Sequence, residues 1–394
     1  MDCRAFHDAV HGVIVLHPVC LAIIDTIEFQ RLRKLKQLGN ASLVFHSATH
    51  TRFEHSLGVA YLARSLVRVL ADAQPELLIT PLEMLCVEMA GLLHDIGHGI
   101  MSHMFDSIFI PQVTSEEWSH EDAAVPMIRA IRDNNPTVQQ LFDKYDIGQP
   151  ELDYVAQLID GEFKGDRAFL ADIVSNRRNG NDVDKWDYIQ RDAKMLGVSI
   201  PFKHERLLHF ARVITVDGYT TIAYPEKLRL DVHALFVART MLHEMAYKHR
   251  VTRAIDHMTV DALVLANPHF YVNGCLMSES IHTMKAFTAM TDTILDHIQY
   301  STDDCLEPAR RLLIRIQQRK LYECVFEKTI STEDELTDFY EHTKAFDNHI
   351  VDVCEFDGGN TCVFFRVDKL NGQRHIVETR EPTTWKFVGR IYAR

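Results

Sequence analysis

Residues 92–106 read LLHDIGHGIMSHMFD and place three histidines and two aspartates directly after an apolar, helix-forming run. Gly97 and Gly99 follow the His94-Asp95 pair and allow the backbone to turn, so that both side chains can face one ion. This density favours a metal site. A His-Asp pair also arises by chance in a chain of this composition, and His7-Asp8 is a second example. The metal interpretation therefore depends on finding partner ligands elsewhere in the chain.

Length and composition restrict the class of protein. The chain has 394 residues, of which 46% are hydrophobic, enough for one large domain or two smaller ones. No apolar run approaches the roughly 18 residues that span a bilayer, and the N-terminus lacks a signal peptide's apolar segment. A formal charge of −13 argues against a protein built to coat nucleic acid. We expect an intracellular protein, cytoplasmic or nuclear, with no membrane partner and weak or no nucleic-acid binding. Its eight cysteines form no CxxC pair and are expected to be reduced.

Helical periodicity places two of the histidines at helix ends. Apolar residues recur at helical spacing over residues 52–70, so His55 is predicted to lie in the first turn of an amphipathic helix. The next helix is predicted to begin with a capping box at residues 80–83, with proline at its first position, and to end at His94-Asp95. A further helix is predicted over residues 28–38, within a lid or interface layer.

Two later helices are each predicted to carry a polar stripe. The first stripe consists of Asp184, Tyr188 and Asp192 at i, i+4 and i+8, with Lys185 beside it; the second consists of Arg239, His243 and Tyr247, within a helix between Asp231 and Met258. Either stripe on its own is explained by a solvated helix face. Tyrosine and histidine are poor choices for such a face, however, whereas this mixture of arginine, lysine, tyrosine and histidine suits a polyphosphate.

The C-terminal segment changes character. Residues 350–356, 361–367 and 375–378 are rich in β-branched or aromatic side chains, and the turn signals at residues 357–360 and 371–372 predict hairpins between them. The sequence therefore predicts a mainly α-helical fold with a catalytic core over residues 1–325 and a small α+β lobe over residues 326–394.

If the side chains of His55, His94, Asp95 and Asp184 meet, they form a mixed nitrogen and oxygen site suited to iron, manganese, zinc or nickel and less to calcium, with magnesium as a further candidate. A divalent ion in such a site polarises a phosphoryl group and activates water, which predicts hydrolysis of a phosphate ester or anhydride. The leaving oxygen needs a proton, for which His98, His103 and His120 are candidates. Asp106 follows His103 by three residues and is predicted to orient it.

Three longer runs narrow the interpretation: FQRLR at residues 29–33, RFEHSLGV at 52–59 and NGNDVDKWDY at 179–188. With the order His55, His94-Asp95 and Asp184, the chain resembles the HD-domain metal-dependent phosphohydrolases. Within them it is most similar to the sterile-alpha-motif and HD-domain deoxynucleoside triphosphate triphosphohydrolases. The resemblance extends from about Phe6 to the last residue, so we expect the sterile-alpha-motif domain itself to be lacking.

The resemblance implies hydrolysis of a dNTP to deoxynucleoside and inorganic triphosphate, which would lower dNTP pools. It matches His55, His94, Asp95 and Asp184 to metal ligands and His103 to the general acid, with Asp106 as its partner and His98 and His120 lining the phosphates. It matches further residues to substrate contacts: Arg52, Lys185, Tyr188, Arg239 and His243 around the triphosphate and sugar, Gln37 and Asp192 at the 3′-hydroxyl, and Leu38 and Tyr247 crowding the 2′ position.

The resemblance also implies regulation, because this family is assembled into tetramers by GTP and dNTP at allosteric sites. The matching positions are Asp25, Gln30, Arg33, Arg206, Phe210, Lys227, His249, Arg250 and Arg374. Other positions depart from the family: His7, Pro225, Asp231 and Met245 replace asparagine or arginine, which predicts weakened or altered activation, and Lys248 replaces a glutamine near the base. We expect a homo-oligomer, either dimer or tetramer.

Two alternative functions remain open from the sequence. One is an HD-type phosphodiesterase acting on cyclic or oligonucleotides. The other is a nucleotide or nucleic-acid sensor whose catalysis has decayed.

Overall fold

A computed structural model of the chain describes residues 4–161, 165–346, 349–356, 362–367, 374–378 and 386–394. The fold is mainly α-helical with small sheets, as predicted. Its α-helices are α1 Pro18–Ile24, α2 Ile27–Gln30, α3 Arg52–Ala73, α4 Pro81–Leu93, α5 Ile110–Val113, α6 His120–Asn134, α7 Pro136–Lys144, α8 Gln149–Asp160, α9 Ala168–Val174, α10 Val183–Leu196, α11 Glu205–Phe210, α12 Arg229–Leu242, α13 Arg250–Ala266, α14 Met284–Phe287, α15 Thr293–Gln299, α16 Glu307–Gln317 and α17 Glu333–Thr343. Among the described helices, none has the length and hydropathy required to cross a bilayer.

The strands of the described residues are short and belong to four small sheets. Their bounds are β1 Ala5–Asp8, β2 Gly12–Val15, β3 Arg212–Val216, β4 Tyr219–Pro225, β5 Tyr271–Val272, β6 Cys275–Leu276, β7 Glu323–Ile330, β8 Ile350–Phe356, β9 Val363–Val367, β10 Arg374–Glu378 and β11 Lys386–Ala393. The sheet orders are β1-β2, β10-β9-β4-β3, β7-β11-β8 and β5-β6.

The helices α3, α4 and α10 form the part of the core that positions the site. Each begins at a side-chain cap: Thr51 and Glu54 form a capping box for α3, Thr80 and Glu83 form the predicted one for α4, and Asp182 accepts from the amide of Lys185 at the start of α10. Both α4 and α10 pack against α3. The N-terminal end of α3 therefore lies beside the C-terminal end of α4 and the first turn of α10.

Two predicted helices are interrupted. The helix predicted over residues 28–38 ends at Gln30 and continues only as a 3₁₀ turn over residues 31–34, because the amide of Lys36 donates to Asp292 Oδ2 at 2.8 Å instead of bonding within a helix. The helix predicted between Asp231 and Met258 is divided by a π-helical turn over residues 243–247, after which α13 begins. Such turns bulge the backbone and are frequent at functional sites.

The C-terminal strands pair differently from the prediction. β9 and β10 are antiparallel neighbours, as expected for a hairpin, but β8 pairs with β11 and lies in another sheet. The prediction of a hairpin between residues 350–356 and 361–367 is therefore wrong, because β8 pairs with the distant strand β11 and not with the next strand in the sequence. The turns at residues 357–360 and 371–372 lie outside the described residues. The predicted domain boundary after residue 325 falls within β7, and the division remains a prediction.

Candidate active site

Four side chains from three helices meet at the end of α4, and we call His55, His94, Asp95 and Asp184 the ligand cluster. Nε2 of His55 lies 3.1 Å from Nε2 of His94 and 3.1 Å from Oδ1 of Asp184, and Nε2 of His94 lies 3.5 Å from the same oxygen. The two carboxylate oxygens of Asp95 lie 3.5 Å from these imidazoles, Oδ2 from His55 and Oδ1 from His94. Residues 129 positions apart in the sequence, His55 and Asp184, thus come within hydrogen-bond distance.

The outward nitrogen of each imidazole is already bound. Nδ1 of His94 donates to the carbonyl of Gly91 at 2.9 Å, and Nδ1 of His55 donates to Oδ2 of Asp187 at 2.7 Å. Both Nε2 atoms therefore face each other and the carboxylates, an arrangement that requires a positive charge among them. Ligand atoms about 2.1 Å from a divalent ion are themselves roughly 3 Å apart. The ligand atoms of His55, His94 and Asp184 all lie within 4.8 Å of one another and fit such an ion, whereas Asp95 lies at the edge of this group, with a different oxygen facing each imidazole.

The electrostatics of the ligand cluster lead to the same conclusion. Burial opposes a charge on His55, yet the carboxylates of Asp184 and Asp187 raise its pKa to about 10. Burial likewise opposes ionisation of Asp95, but Arg52, whose Nη1 donates to it at 2.5 Å, helps to hold its pKa well below the ordinary value. Since these carboxylates stay ionised, the cluster attracts either a proton or a metal cation.

A second group of side chains lies beside the first, and we call His98, His103, Asp106 and His120 the histidine cluster. The rings of His98 and His120 stack with their centroids 3.8 Å apart, and His103 meets them edge-on at 4.8 and 5.4 Å. Nε2 of His98 lies 3.2 Å from Oδ1 of Asp95 and so connects the two clusters.

The partner of Asp106 differs from the prediction. Oδ2 of Asp106 accepts from Nδ1 of His120 at 2.6 Å, whereas the sequence had predicted a contact with His103. Residues 105–109 form a π-helical turn, so the i, i+3 spacing of an ordinary helix, on which the prediction relied, does not apply.

This pairing separates the pKa values of the three imidazoles. Burial opposes a charge on His120, but the carboxylate of Asp106 outweighs it and raises the pKa. Burial and the nearby Arg52 lower the pKa of His103 to about 4 and that of His98 well below its usual value. His120 is therefore the imidazole of this cluster that most readily carries a proton at neutral pH.

Gly97 allows α6 to pack closely against the loop that follows α4. A Cβ at Gly97 would lie 1.9 Å from the carbonyl oxygen of His120, so α6 could not approach the loop that follows α4. The left-handed residues of this loop are Met101 and Ser102, at φ 54° and 58°. The turn expected at Gly97 and Gly99 is thus made farther along the chain.

Both polar stripes face one pocket of about 600 Å³. His55 and Asp106 do not line the pocket. All the other predicted catalytic, metal and substrate residues do, namely Gln37, Leu38, Arg52, His94, Asp95, His98, His103, His120, Asp184, Lys185, Tyr188, Asp192, Arg239, His243 and Tyr247. The hydroxyl of Tyr247 donates to Oδ2 of Asp192 at 2.6 Å. Burial, with Arg239 and Lys248 nearby, lowers the pKa of His243 to about 3, so its imidazole is neutral.

Four residues whose buried side chains support the site carry no assignment from the sequence. Asp187 holds His55, and His11 and Arg191 in turn hold Asp187. His50 donates through Nε2 to Oδ1 of Asp192 at 2.7 Å. The i, i+4 spacing of Asp187 and Arg191 on α10 was a usable signal, whereas His11 and His50 carry none in the sequence.

The described residues among those matched to activator sites do not line the pocket. Asp25 pairs with Arg4 at 2.6 Å, and Gln30 accepts from Nε of Arg33 at 2.9 Å. Arg206 pairs with Asp231 at 2.8 Å. The remaining members are Lys227, whose Nζ lies 4.2 Å from the ring centroid of Phe210, and His249 and Arg250 at the start of α13. Arg374 begins β10, and its side chain lies outside the described part of the chain.

A known domain family matches the part of the chain that contains the ligand cluster. The HD domain family matches residues 52–191, a span that begins at the first residue of α3 and includes all four members of the ligand cluster. The chain therefore contains an HD domain over these residues.

The chain is also similar to curated proteins over most of its length. It is 42% identical over 360 residues to the deoxynucleoside triphosphate triphosphohydrolase SAMHD1 of Bos taurus, a match that covers 86% of this chain and 61% of that protein. It is 41% identical over 350 residues to the Danio rerio protein of the same name, with 84% and 56% covered. The SAMHD1 homolog of Dictyostelium discoideum is 36% identical over 331 residues, with 84% and 61% covered. The chain thus spans less than two thirds of the length of these relatives.

Proposed function

We propose that this HD-domain protein hydrolyses dNTPs to deoxynucleoside and inorganic triphosphate and so lowers dNTP pools. One observation carries the proposal: the ligand cluster and the histidine cluster adjoin at Asp95 and His98 in a pocket that two stripes of phosphate-binding and hydroxyl-bearing side chains also line. The relatives named above are dNTP triphosphohydrolases, which supports the same assignment.

The ligand cluster is the proposed site of a divalent metal, with His55, His94, Asp95 and Asp184 as its ligands. Iron, manganese, zinc and magnesium are all candidates for this mixture of imidazole and carboxylate donors. When bound, the metal would supply Lewis acidity toward a phosphoryl oxygen and lower the pKa of water.

The chain's own residues would bind and orient the nucleotide. Arg52, Lys185 and Arg239 offer positive charge toward the triphosphate from three separate elements of the pocket. Asp192 has one carboxylate oxygen bound to His50 and the other to Tyr247, which holds the tyrosine ring where it would exclude a 2′-hydroxyl.

The histidine cluster would deliver the proton that the leaving oxygen requires. The family resemblance assigns this role to His103, whereas the pairing of His120 with Asp106 makes His120 the better proton reservoir. His120 itself lines the pocket, so a proton held on its imidazole would face the bound nucleotide.

Regulation by GTP or dNTP and assembly into a dimer or tetramer form a further part of the proposal, as does a cytoplasmic or nuclear location. Asp231 already places its carboxylate on the guanidinium of Arg206 at 2.8 Å. A nucleotide phosphate would have to displace that carboxylate, so we expect weaker activation than in relatives with asparagine at this position.

Incubation of the purified protein with dGTP and Mn²⁺, with and without GTP, tests the function. We expect deoxyguanosine and triphosphate in equal amounts by anion-exchange chromatography, no product from Asp184→Ala, and only a small stimulation by GTP. Size-exclusion chromatography of the same samples would give the oligomeric state. Cleavage of a cyclic dinucleotide without release of triphosphate from dGTP would contradict the proposal and favour a phosphodiesterase.

A further inference from the structure

The carboxylate of Asp187 lies behind the ligand cluster and is fully buried. Its Oδ2 accepts from Nδ1 of His55 at 2.7 Å and from Nε of Arg191 at 2.8 Å, and its Oδ1 accepts from Nη2 of Arg191 at 2.9 Å. Oδ1 also lies 2.6 Å from Nε2 of His11, which must be the donor because an ionised carboxylate only accepts. Each oxygen of Asp187 thus has two donors, and its orientation is fixed.

Two of these donors connect Asp187 to the N-terminal hairpin formed by β1 and β2. His11 lies in the turn of that hairpin. Oδ1 of Asp8 accepts from the backbone amides of Val10 and His11 at 2.8 and 2.9 Å, and its Oδ2 accepts from Nη1 of Arg191 at 2.8 Å. The turn is therefore held in the conformation that directs the His11 ring toward Asp187.

The network also packs closely against α3 at Gly58. A Cβ at Gly58 would lie 1.9 Å from Oδ1 of Asp187 and 2.5 Å from Nη2 of Arg191. The carboxylate therefore lies directly against the backbone of the helix that carries His55, one turn from it.

The two imidazoles of the ligand cluster are oriented in different ways. The Nδ1 partner of His94 is the carbonyl of Gly91, three residues earlier in the chain. The partner of His55 is a side chain from α10, which depends on a hairpin turn more than 170 positions away in the sequence.

We infer that Asp187, held by His11 and Arg191, is a positioning residue for His55, and that the N-terminal hairpin is for this reason a structural part of the metal site. It fixes the tautomer of His55 so that Nε2 is free to bind an ion. A second partner of a histidine ligand has this effect in metal sites generally. The inference rests on the proposed metal site and does not depend on the substrate.

The affinity for Mn²⁺ in the absence of nucleotide tests this inference. We compare His11→Ala with His11→Gln, whose side-chain amide can still donate toward Asp187, and with His297→Ala, which removes an exposed histidine on α15. Loss of such a second partner typically weakens metal binding by about 10- to 100-fold. We expect that loss in His11→Ala, affinity within about threefold of the parent in His11→Gln, and no change in His297→Ala. The thermal midpoint of each metal-free protein shows whether the variants fold.

If His11→Ala fails to fold, Asp187→Asn replaces it, because asparagine keeps the side-chain volume; the same 10- to 100-fold loss is expected. Parent-like Mn²⁺ affinity in the folded alanine or asparagine variant would overturn the inference. An equal loss in His11→Gln and His11→Ala would also overturn it, since the hydrogen bond would then be irrelevant. A parent that binds Mn²⁺ but leaves dGTP intact would refute the proposed function alone. A parent that binds none of Mn²⁺, Fe²⁺, Zn²⁺ and Mg²⁺ would refute both the function and the inference.

Discussion

The ligand cluster and the histidine cluster contain the same two residue types and adjoin at a 3.2 Å contact, yet their electrostatics are opposite. In the ligand cluster, carboxylates on several sides raise the pKa of His55 to about 10. In the histidine cluster, burial and Arg52 lower the pKa of His103 to about 4, whereas the carboxylate of Asp106 outweighs burial and raises the pKa of His120. The number and placement of carboxylates therefore decide whether a histidine is suited to hold a cation or to exchange a proton.

The largest expected effect comes from removing a carboxylate or an imidazole from the ligand cluster. Asp184→Ala and His94→Ala should each lower dNTP turnover by about a thousandfold or more, because the remaining donors cannot retain the ion. Turnover assays together with metal analysis of the purified variants check this, and Asp72→Ala, on the exposed part of α3, serves as control. If Asp184→Ala kept its full metal content and normal turnover, the assignment of metal binding to the ligand cluster would be wrong.

A smaller and pH-dependent effect is expected in the histidine cluster. Asp106→Asn removes the negative charge that raises the pKa of His120, so that pKa falls. A proton donor is active below its pKa and inactive above it, so the alkaline limb of the turnover profile should move to lower pH. We expect a loss of about tenfold at pH 8 and much less at pH 6. We would measure turnover of Asp106→Asn and of the exposed control Asp143→Asn from pH 5.5 to 9. Alkaline limbs that coincide in the two variants would contradict this expectation.

The smallest effect concerns the sugar end of the pocket, beyond both clusters. Tyr247→Ala should relax the preference for dGTP over GTP by about tenfold, because the ring that would exclude a 2′-hydroxyl is lost. Tyr247→Phe removes only the bond to Asp192 and should keep most of the preference. The ratio of kcat/KM values for dGTP and GTP measures this, with exposed Tyr271→Ala as control. Equal rejection of GTP by Tyr247→Ala would exclude the ring from sugar selection.

Local patterns in the sequence predicted the helical parts of the site well. The first turn of α3, the capping box of α4 and the polar stripe of α10 all follow from spacing within a single element, and the structure confirms these elements. The second stripe crosses from α12 into the π-helical turn over residues 243–247, yet its residues still line the pocket. Patterns that depend on tertiary context predicted less. The 28–38 helix is broken by bonds to Asp292, and β8 pairs with β11 in place of its neighbour in the sequence.

The second His-Asp pair, His7-Asp8, shows the same limit. In the sequence it is a chance pair with no apolar helix before it. In the structure Asp8 is buried and accepts from Arg191 at 2.8 Å, in the network behind His55. No spacing rule connects residue 8 with residue 191.

The sequence by itself determined which residues were available to the site and which helix faces they occupy, because helical periodicity depends only on neighbours three or four positions apart. Only the tertiary structure decided which carboxylate serves which histidine: Asp106 binds His120, and Asp187 binds His55. A pKa depends on burial and on charges within a few ångströms, and those distances exist only once α3, α4, α6 and α10 have packed together.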